Sequence, residues 1–239
     1  MTSEEKIPAG HLAEVAFEAR FPTLFSIPKR VDEYQELIFQ EFDKSSELNL
    51  QGITLKPNQE PLFETEQGWE FIHKDGDPVI RLFKNKIVIF SRAYTNYDGS
   101  DSKSYKNCID YSIEKFTSLF KINKFTRIGL RYINTFKVEE ISNDWLKKYF
   151  RPFYDLERYP VQDTLEFKFA LRVKREKANL VIQSGYILKD DLKYVLDFDA
   201  YKEDCKTADY LNVLTDLHDS IKEEFKSLIT DEMQKKIGV

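Results

Sequence analysis

The chain has 239 residues, of which 41% are hydrophobic and 14% aromatic, and this content favours a folded protein with a substantial core. Its 36 basic against 41 acidic residues give a net charge of -5, which argues against nucleic acid or anionic lipid as a partner. No run approaches the roughly 18 apolar residues of a membrane span or resembles a signal peptide, and Cys108 and Cys205 are far apart in sequence. These features predict a soluble cytoplasmic protein without a disulfide framework.

Apolar and charged residues alternate along the stretch HLAEVAFEARF, residues 11–21. The apolar set consists of Val15, Phe17, Ala19 and Phe21, and the charged set consists of Glu14, Glu18 and Arg20. Because alternate side chains of a strand point to opposite faces, this pattern predicts a β-strand with one apolar and one charged face.

The rest of the first half contains two helical patterns and three strand patterns. The predicted elements are a helix at 30–43, a polar connection up to Gly68, strands at 69–74, 79–83 and 86–92, and a helix at 104–121. The first half therefore has the predicted order strand, helix, three strands, helix.

The second half repeats this order. RIGLRYINTFKV, residues 127–138, alternates like the opening strand, with Arg127, Arg131 and Lys137 on its charged side. The elements predicted after it are a helix at 143–150, strands at 164–174, 179–188 and 192–201, and a helix at 209–236. This similarity indicates an internal duplication with a boundary near residue 123.

We therefore predict an α+β fold built from two pseudo-repeats of strand-helix-three strands-helix, at residues 1–122 and 123–239, packed as one unit. Each half has an antiparallel sheet whose apolar face is covered by helices. The charged faces leave two arrangements open. The sheets join side by side and expose the charged face, or they curl so that this face lines a groove or tunnel.

The opening LAEVAFEARF and the central RIGLRYIN resemble motifs of a sporadically distributed family of bacterial and archaeal proteins without an established activity. Its members share an EVxFExRF-like N-terminal strand, an RxGLRYIN-like central strand and a late aspartate-containing strand, here VLDFDAY. The resemblance covers essentially the whole chain and implies no catalytic residues. It implies that the family pattern includes Glu14, Phe17, Glu18, Arg20, Phe21, Arg127, Gly129, Arg131, Tyr132, Asn134, Asp197 and Asp199.

Seven charged residues on predicted strands form the candidate binding face: Glu14, Glu18, Arg20, Arg127, Arg131, Asp197 and Asp199. In one interpretation they form exposed cross-strand ion pairs, each contributing roughly 0.2–1 kcal/mol. In the other they line a polar cavity, where arginines bind phosphate or carboxylate and the acidic groups bind a divalent cation. The spacing specifies no metal site; carboxylates that could contribute to one are Asp197, Asp199 and Glu166.

The sequence lacks the usual catalytic motifs. His11, His73 and His218 are isolated, which is typical of surface or capping residues, and neither a Gly-rich phosphate loop nor a GxSxG motif is present. Basic and aromatic residues alternate over 121–151, but the net charge argues against a nucleic-acid platform. Whether the protein is an enzyme stays open, and no cofactor is predicted beyond the possible divalent cation.

Two functional hypotheses follow. The first is a non-enzymatic interaction or ligand-binding module whose charged sheet face, or an exposed strand edge, binds a partner protein or another copy of the chain. The alternative is a metal-dependent phosphate- or nucleotide-binding enzyme resembling a triphosphate tunnel hydrolase. The Glu-x-Glu-x-Lys strand of those enzymes would correspond to residues 16–20, where Ala16 and Arg20 replace the first carboxylate and the lysine.

Overall fold

The computed structural model describes residues 12–54, 62–94, 97–98, 104–138, 142–153, 155–164, 166–187 and 193–238. The strands are β1 Leu12–Arg20, β2 Lys44–Thr54, β3 Leu62–Ile72, β4 Val79–Phe83, β5 Lys86–Ser91, β6 Lys124–Lys137, β7 Glu166–Lys174, β8 Asn179–Ile187 and β9 Lys193–Lys206. The α-helices are α1 Ile27–Ile38, α2 Tyr105–Phe120, α3 Asn143–Tyr149, α4 Tyr210–Leu228 and α5 Asp231–Ile237.

All nine of these strands form one antiparallel sheet in the order β2-β3-β4-β5-β1-β6-β9-β8-β7. The two alternating motifs, β1 and β6, lie side by side at its centre, and β5 and β9 flank them. The predicted α+β class is therefore confirmed. The two halves join edge to edge through β1 and β6, as in the side-by-side arrangement.

The helices cover one face of the sheet. Phe17 of β1, Leu130 of β6 and Phe198 of β9 are fully buried on that face. There α4 packs over β6 and β9, α1 packs against α2, and α3 packs against α5. We call the opposite side, which carries the charged residues of β1, β6 and β9, the open face.

The strand β2 was not predicted, because residues 44–54 read as part of a polar connection. Its positions opposite Phe71 and Trp69 of β3, which point toward the helices, are occupied by Ser45 and Glu47. Since none of the side chains of residues 44–50 is buried, the alternation that signals a half-buried strand is missing there. The first half therefore contributes five strands and the second half four, and the two pseudo-repeats stay a prediction.

The long final helix predicted at 209–236 is two helices. Ile229 adopts extended backbone angles and pairs as a bridge with Phe150, which ends α4. Thr230 then begins α5, since its hydroxyl oxygen accepts a hydrogen bond from the Met233 N–H at 3.3 Å. Among the described helices, none is long and apolar enough to cross a membrane.

Candidate functional site

The structure brings the predicted charged residues together on the open face. Six of the seven line one depression of about 340 Å³: Glu14, Glu18, Arg20, Arg127, Arg131 and Asp199. The seventh, Asp197, lies beside it and accepts two hydrogen bonds from Arg131, at 2.8 Å from Nε and 2.6 Å from Nη2. We call this depression the arginine pocket.

The acidic and basic groups of the pocket meet diagonally across neighbouring strands. In the register of β1 and β6, Arg20 lies opposite Arg127 and Glu18 lies opposite Gly129. Glu18 Oε1 accepts hydrogen bonds from Arg20 Nε at 2.7 Å and from Arg127 Nη1 at 2.8 Å. One carboxylate therefore separates two arginines whose direct juxtaposition would be repulsive.

Arg127 is the centre of the ion-pair network. Its Nη2 donates to both oxygens of Asp199, at 3.0 and 2.7 Å, while Nη1 donates to Glu18. Its guanidinium carbon also lies 4.7 Å from the centre of the Tyr201 ring. With only 16% of its side chain exposed, Arg127 ties β1, β6 and β9 together.

The absence of a side chain at Gly129 allows Arg127 to lie flat on the sheet. A Cβ atom at this position would overlap Arg127 Nη1 and lie 3.0 Å from its Cζ. The RxG spacing of RIGLRYIN thus has a physical cause, because the residue two positions after the arginine on the same face must be minimal.

The electrostatic environment differs between the two aspartates. Burial raises the pKa of Asp199, although the charge and hydrogen bonds of Arg127 oppose this effect. The hydrogen bonds to Asp197 raise the pKa of Arg131, which stays charged. Asp197 is only 7% exposed and is also 3.4 Å from Gln183 Nε2.

The pocket lining also includes Arg81, Phe90 and Arg92, which were not predicted as site residues. Arg81 and Arg92 place their guanidinium carbons 4.6 and 5.6 Å from the centre of the Phe90 ring, in cation–π contact. Their strands were recognised in the sequence. Arg81 and Arg92 were missed because the sequence does not specify the strand order, and only the pairing of β5 with β1 brings them to the candidate face.

The arginine pocket retains hydrogen-bonding capacity at its rim. Its described lining contains five arginines and three carboxylates, and with Glu70 and Asp197 each arginine has an acidic partner. A guanidinium has five N–H donors, and Arg20 and Arg131 use two nitrogens each in these pairs. The side chains of Arg20, Arg92 and Arg131 are 53%, 71% and 46% exposed. An oxyanion can therefore bind at the rim while Arg127 keeps its pairs.

The carboxylates considered for a metal do not converge. Asp197 and Asp199 each pair with an arginine, whereas Glu166 lies on β7, two strands away, with Lys168 Nζ at 2.5 Å. The register places Glu166 four residues along from the position level with Asp197, roughly 16 Å away. Within the described ranges, no three His, Cys, Asp or Glu side chains are grouped as metal ligands.

One of the three histidines, His218, differs from the surface or capping residue that the sequence suggested. His218 of α4 stacks on Tyr97, with ring centres 3.7 Å apart, and its Nδ1 is 2.8 Å from the Tyr132 hydroxyl. Burial lowers the pKa of His218 to about 4. His73 is half-buried with Nε2 3.3 Å from Glu41, and His11 lies outside the described residues.

Two larger cavities have different linings, although Asp197 also lines one of them. One, of about 470 Å³, is lined by residues such as Phe42, Asp77 and Tyr105, and the other, of about 610 Å³, lies along β7 and β8. Asp77 in the first is already bound, since it accepts hydrogen bonds from the Ser91 hydroxyl and from the Arg92 and Ala93 N–H groups. The arginine pocket differs from both in its arginines, since its described lining contains five and theirs contain none.

Two comparisons of the chain with known proteins found no match. No protein-family model matches the chain, and no curated protein matches it. The resemblance carried by the strands of residues 12–21 and 127–134 therefore stays a prediction from those residues.

Proposed function

We propose that the protein is a non-enzymatic binding module that takes an oxyanion, a phosphate or a carboxylate, in the arginine pocket of its open face. The observation that carries the proposal is the convergence of five arginines on one depression, from β1, β4, β6 and the position directly after β5. Arginine presents a planar set of donors that matches both oxyanions in bidentate geometry.

The pocket is suited to binding rather than to metal-dependent hydrolysis. Its carboxylates are engaged by arginines, which leaves Arg127 in its ion pairs and the exposed ends of Arg20, Arg92 and Arg131 to meet a ligand. Pre-formed donors reduce the entropic cost of binding, because these side chains are already ordered. A ligand bearing two oxyanions fits best, since Arg20 lies on β1, Arg131 lies on β6 and Arg92 directly follows β5.

Thermal unfolding against a panel of anions tests the proposal. The panel contains orthophosphate, pyrophosphate, a nucleoside triphosphate and a glutamate-rich peptide, each with and without magnesium. A ligand at about 100 times its dissociation constant should stabilise by roughly 2.7 kcal/mol, which for this chain length corresponds to about 5–11 °C. A shift with the free phosphates would indicate a small-molecule ligand, and a shift with the peptide alone would indicate a partner protein.

Matched variants locate the binding. Arg20→Gln and Arg92→Gln remove exposed pocket donors, while Arg158→Ala removes an exposed arginine outside it. We expect the first two to reduce the anion-induced shift and the third to leave it unchanged. No shift with any anion would refute the proposal, and a shift that requires magnesium would favour the metal-dependent alternative.

We further propose that the chain arose by duplication and acts in the cytoplasm. The positions of β1 and β6 support the first statement, because they lie antiparallel at the sheet centre, each beside the last strand of its own half. Superposing residues 12–121 on 126–236 in an experimental structure should give a rotation near 180°. A superposition that does not match β1 with β6 would contradict the duplication.

A further inference from the structure

The strand β7 lies at one edge of the sheet, and its side chains are partly or fully exposed. Within the described part of the chain its only strand neighbour is β8, so one row of its backbone N–H and C=O groups points away from the sheet. The strand is nine residues long, and none of its residues is fully buried. An edge of this length is a template on which another strand can pair.

The apolar side of β7 extends beyond the helix layer. Its residues on the helix side are Phe167, Phe169, Leu171 and Val173, and their partners on β8 are Tyr186, Ser184, Ile182 and Leu180. All four partners are at most 4% exposed, whereas all four β7 residues are partly exposed. The helix side of β8 is therefore covered, whereas β7 keeps a partly exposed apolar stripe, where Phe153 stacks on Phe169 with ring centres 4.9 Å apart.

At the opposite edge of the sheet, residues 45–49 of β2 have no such stripe on the helix side. The positions there are Ser45, Glu47 and Asn49, which are polar and exposed. On this side of residues 45–49, an approaching strand would bury no apolar side chain. Between the two edges, β7 is the one that gains from a partner.

We propose that β7 pairs antiparallel with β7 of a second copy of the chain, about a two-fold axis at Phe169. In this register Glu166 of each copy faces Arg172 of the other, Phe167 faces Leu171, and Lys168 faces Ala170. The charged pairs lie on the open face and the apolar pairs on the helix side, so both faces are complementary.

Neighbouring registers are disfavoured by charge. A shift of two residues in one direction places Lys168 opposite Arg172, and in the other direction it places Lys168 opposite itself. A shift of one residue sets the charged side of one strand against the apolar side of the other. Glu166 already contacts Lys168 within the chain, but both side chains are more than half exposed and can exchange partners.

Pairing of this kind would join the sheets of two copies into one continuous sheet with both open faces on the same side. Each dimer would then present two arginine pockets to one partner. Dimerisation is nevertheless independent of anion binding, because the arginine pocket contains no β7 residue. Failure of one proposal therefore leaves the other standing.

A charge-swap experiment on the full chain tests the register. Sedimentation equilibrium up to on the order of 100 μM should show a dimer for the natural sequence. Glu166→Arg and Arg172→Glu should each weaken dimerisation at least about tenfold, because each creates like-charge pairs. The double variant E166R/R172E should restore it to within about threefold of the natural chain.

The control is Lys174→Glu, an exposed change on the same strand whose partner in this register is the uncharged Thr164. It should leave dimerisation unchanged, and thermal unfolding of every variant confirms that the chain is folded. A natural chain that stays monomeric overturns the proposal. Single variants that dimerise normally, or a double variant that does not recover, would overturn this register.

Discussion

At the scale of single residues, Gly129 and Arg127 form one unit. The guanidinium of Arg127 lies over Gly129 and reaches Glu18 on one side and Asp199 on the other. A side chain at 129 would displace only the end of the Arg127 side chain, which can move. Where an added Cβ would meet backbone atoms instead, the neighbours cannot move.

Gly129→Ala should therefore destabilise the fold by only about 1 kcal/mol, because Arg127 can swing away and gives up part of its ion pairing. Gly68→Ala should cost about 3 kcal/mol, because its Cβ would lie 2.8 Å from the Leu82 carbonyl oxygen and 2.7 Å from the Phe83 ring. Urea unfolding of both variants measures the two losses in the free energy of unfolding and shows which is larger. Equal losses, or a larger loss for Gly129→Ala, would contradict the arrangement of Arg127.

His218 predicts a pH dependence. Burial lowers its pKa from the ordinary 6.5 to about 4, an effect that nearby Asp219 and Asp98 oppose and Lys222 and Lys106 assist. The unfolded chain therefore binds a proton that the folded chain resists, so stability is lost as pH falls from 6.5 toward 4, by about 3 kcal/mol. Above pH 6.5 this contribution is constant.

The check is urea unfolding of the natural chain and His218→Gln at pH 7, 5.5 and 4.5. Carboxylates contribute to both proteins, so the difference between them isolates the histidine. We expect the natural chain to lose more stability on acidification than the variant. Parallel losses would show that the ring is not held neutral.

The sequence predicted which side of each strand the charged residues occupy, because a strand has a period of two. It could not predict their partners. The expectation of acid facing base across β1 and β6 was replaced by diagonal pairs, which depend on register and on the space above Gly129. Arg81 and Arg92 were missed since their proximity arises only from strand order.

At the scale of elements, a tyrosine hydroxyl takes part in the contact between two central strands. Tyr105, the first residue of α2, accepts a hydrogen bond from Phe17 N–H at 2.9 Å and donates one to the Ile89 carbonyl oxygen at 2.5 Å. Phe17 and Ile89 are opposite each other in the pairing of β1 and β5. The hydroxyl thus forms buried hydrogen bonds with backbone groups of both strands.

Tyr105→Phe should destabilise the protein by about 2 kcal/mol, because it removes two buried hydrogen bonds. Tyr111→Phe on the same helix is the control, since its hydroxyl bonds the Leu37 carbonyl oxygen at 3.2 Å in an exposed position. We expect less than about 1 kcal/mol for this variant. Chemical denaturation of both proteins measures the difference, and equal values would contradict the bridging role.

Elements with one buried side were predicted close to their observed bounds, as β1, β4 and β8 show. The elements that were predicted wrongly have identifiable structural causes. The edge strand β2 carries polar groups on its helix side, and the break between α4 and α5 is made by the pairing of Ile229 with Phe150, which is distant in sequence.

At the scale of the whole molecule, both halves share one sheet and one core. The join is the central pairing of β1 with β6, and the buried cluster runs through both halves without interruption. A chain built this way should unfold as one cooperative unit, because neither half can lose its structure without exposing the central strands.

The two tryptophans allow a direct test, since Trp69 lies in β3 of the first half and Trp145 in α3 of the second. Trp145→Phe and Trp69→Phe leave one fluorescent reporter in each half. In each variant, the remaining tryptophan and circular dichroism should report the same urea midpoint. A tryptophan midpoint that departs from that of the whole chain would show that the halves unfold separately.

Oxyanion binding in the arginine pocket is the central claim, and titrating the arginine side-chain signals with pyrophosphate tests it most directly. Nuclear magnetic resonance resolves the Nε–Hε group of each arginine, so it reports where the ligand lies. We predict saturable shifts for Arg20, Arg92 and Arg131, with half-saturation on the order of 1 mM or below, and none for Arg30 and Arg158. Shifts that do not saturate, or that affect all five arginines equally, would contradict the claim.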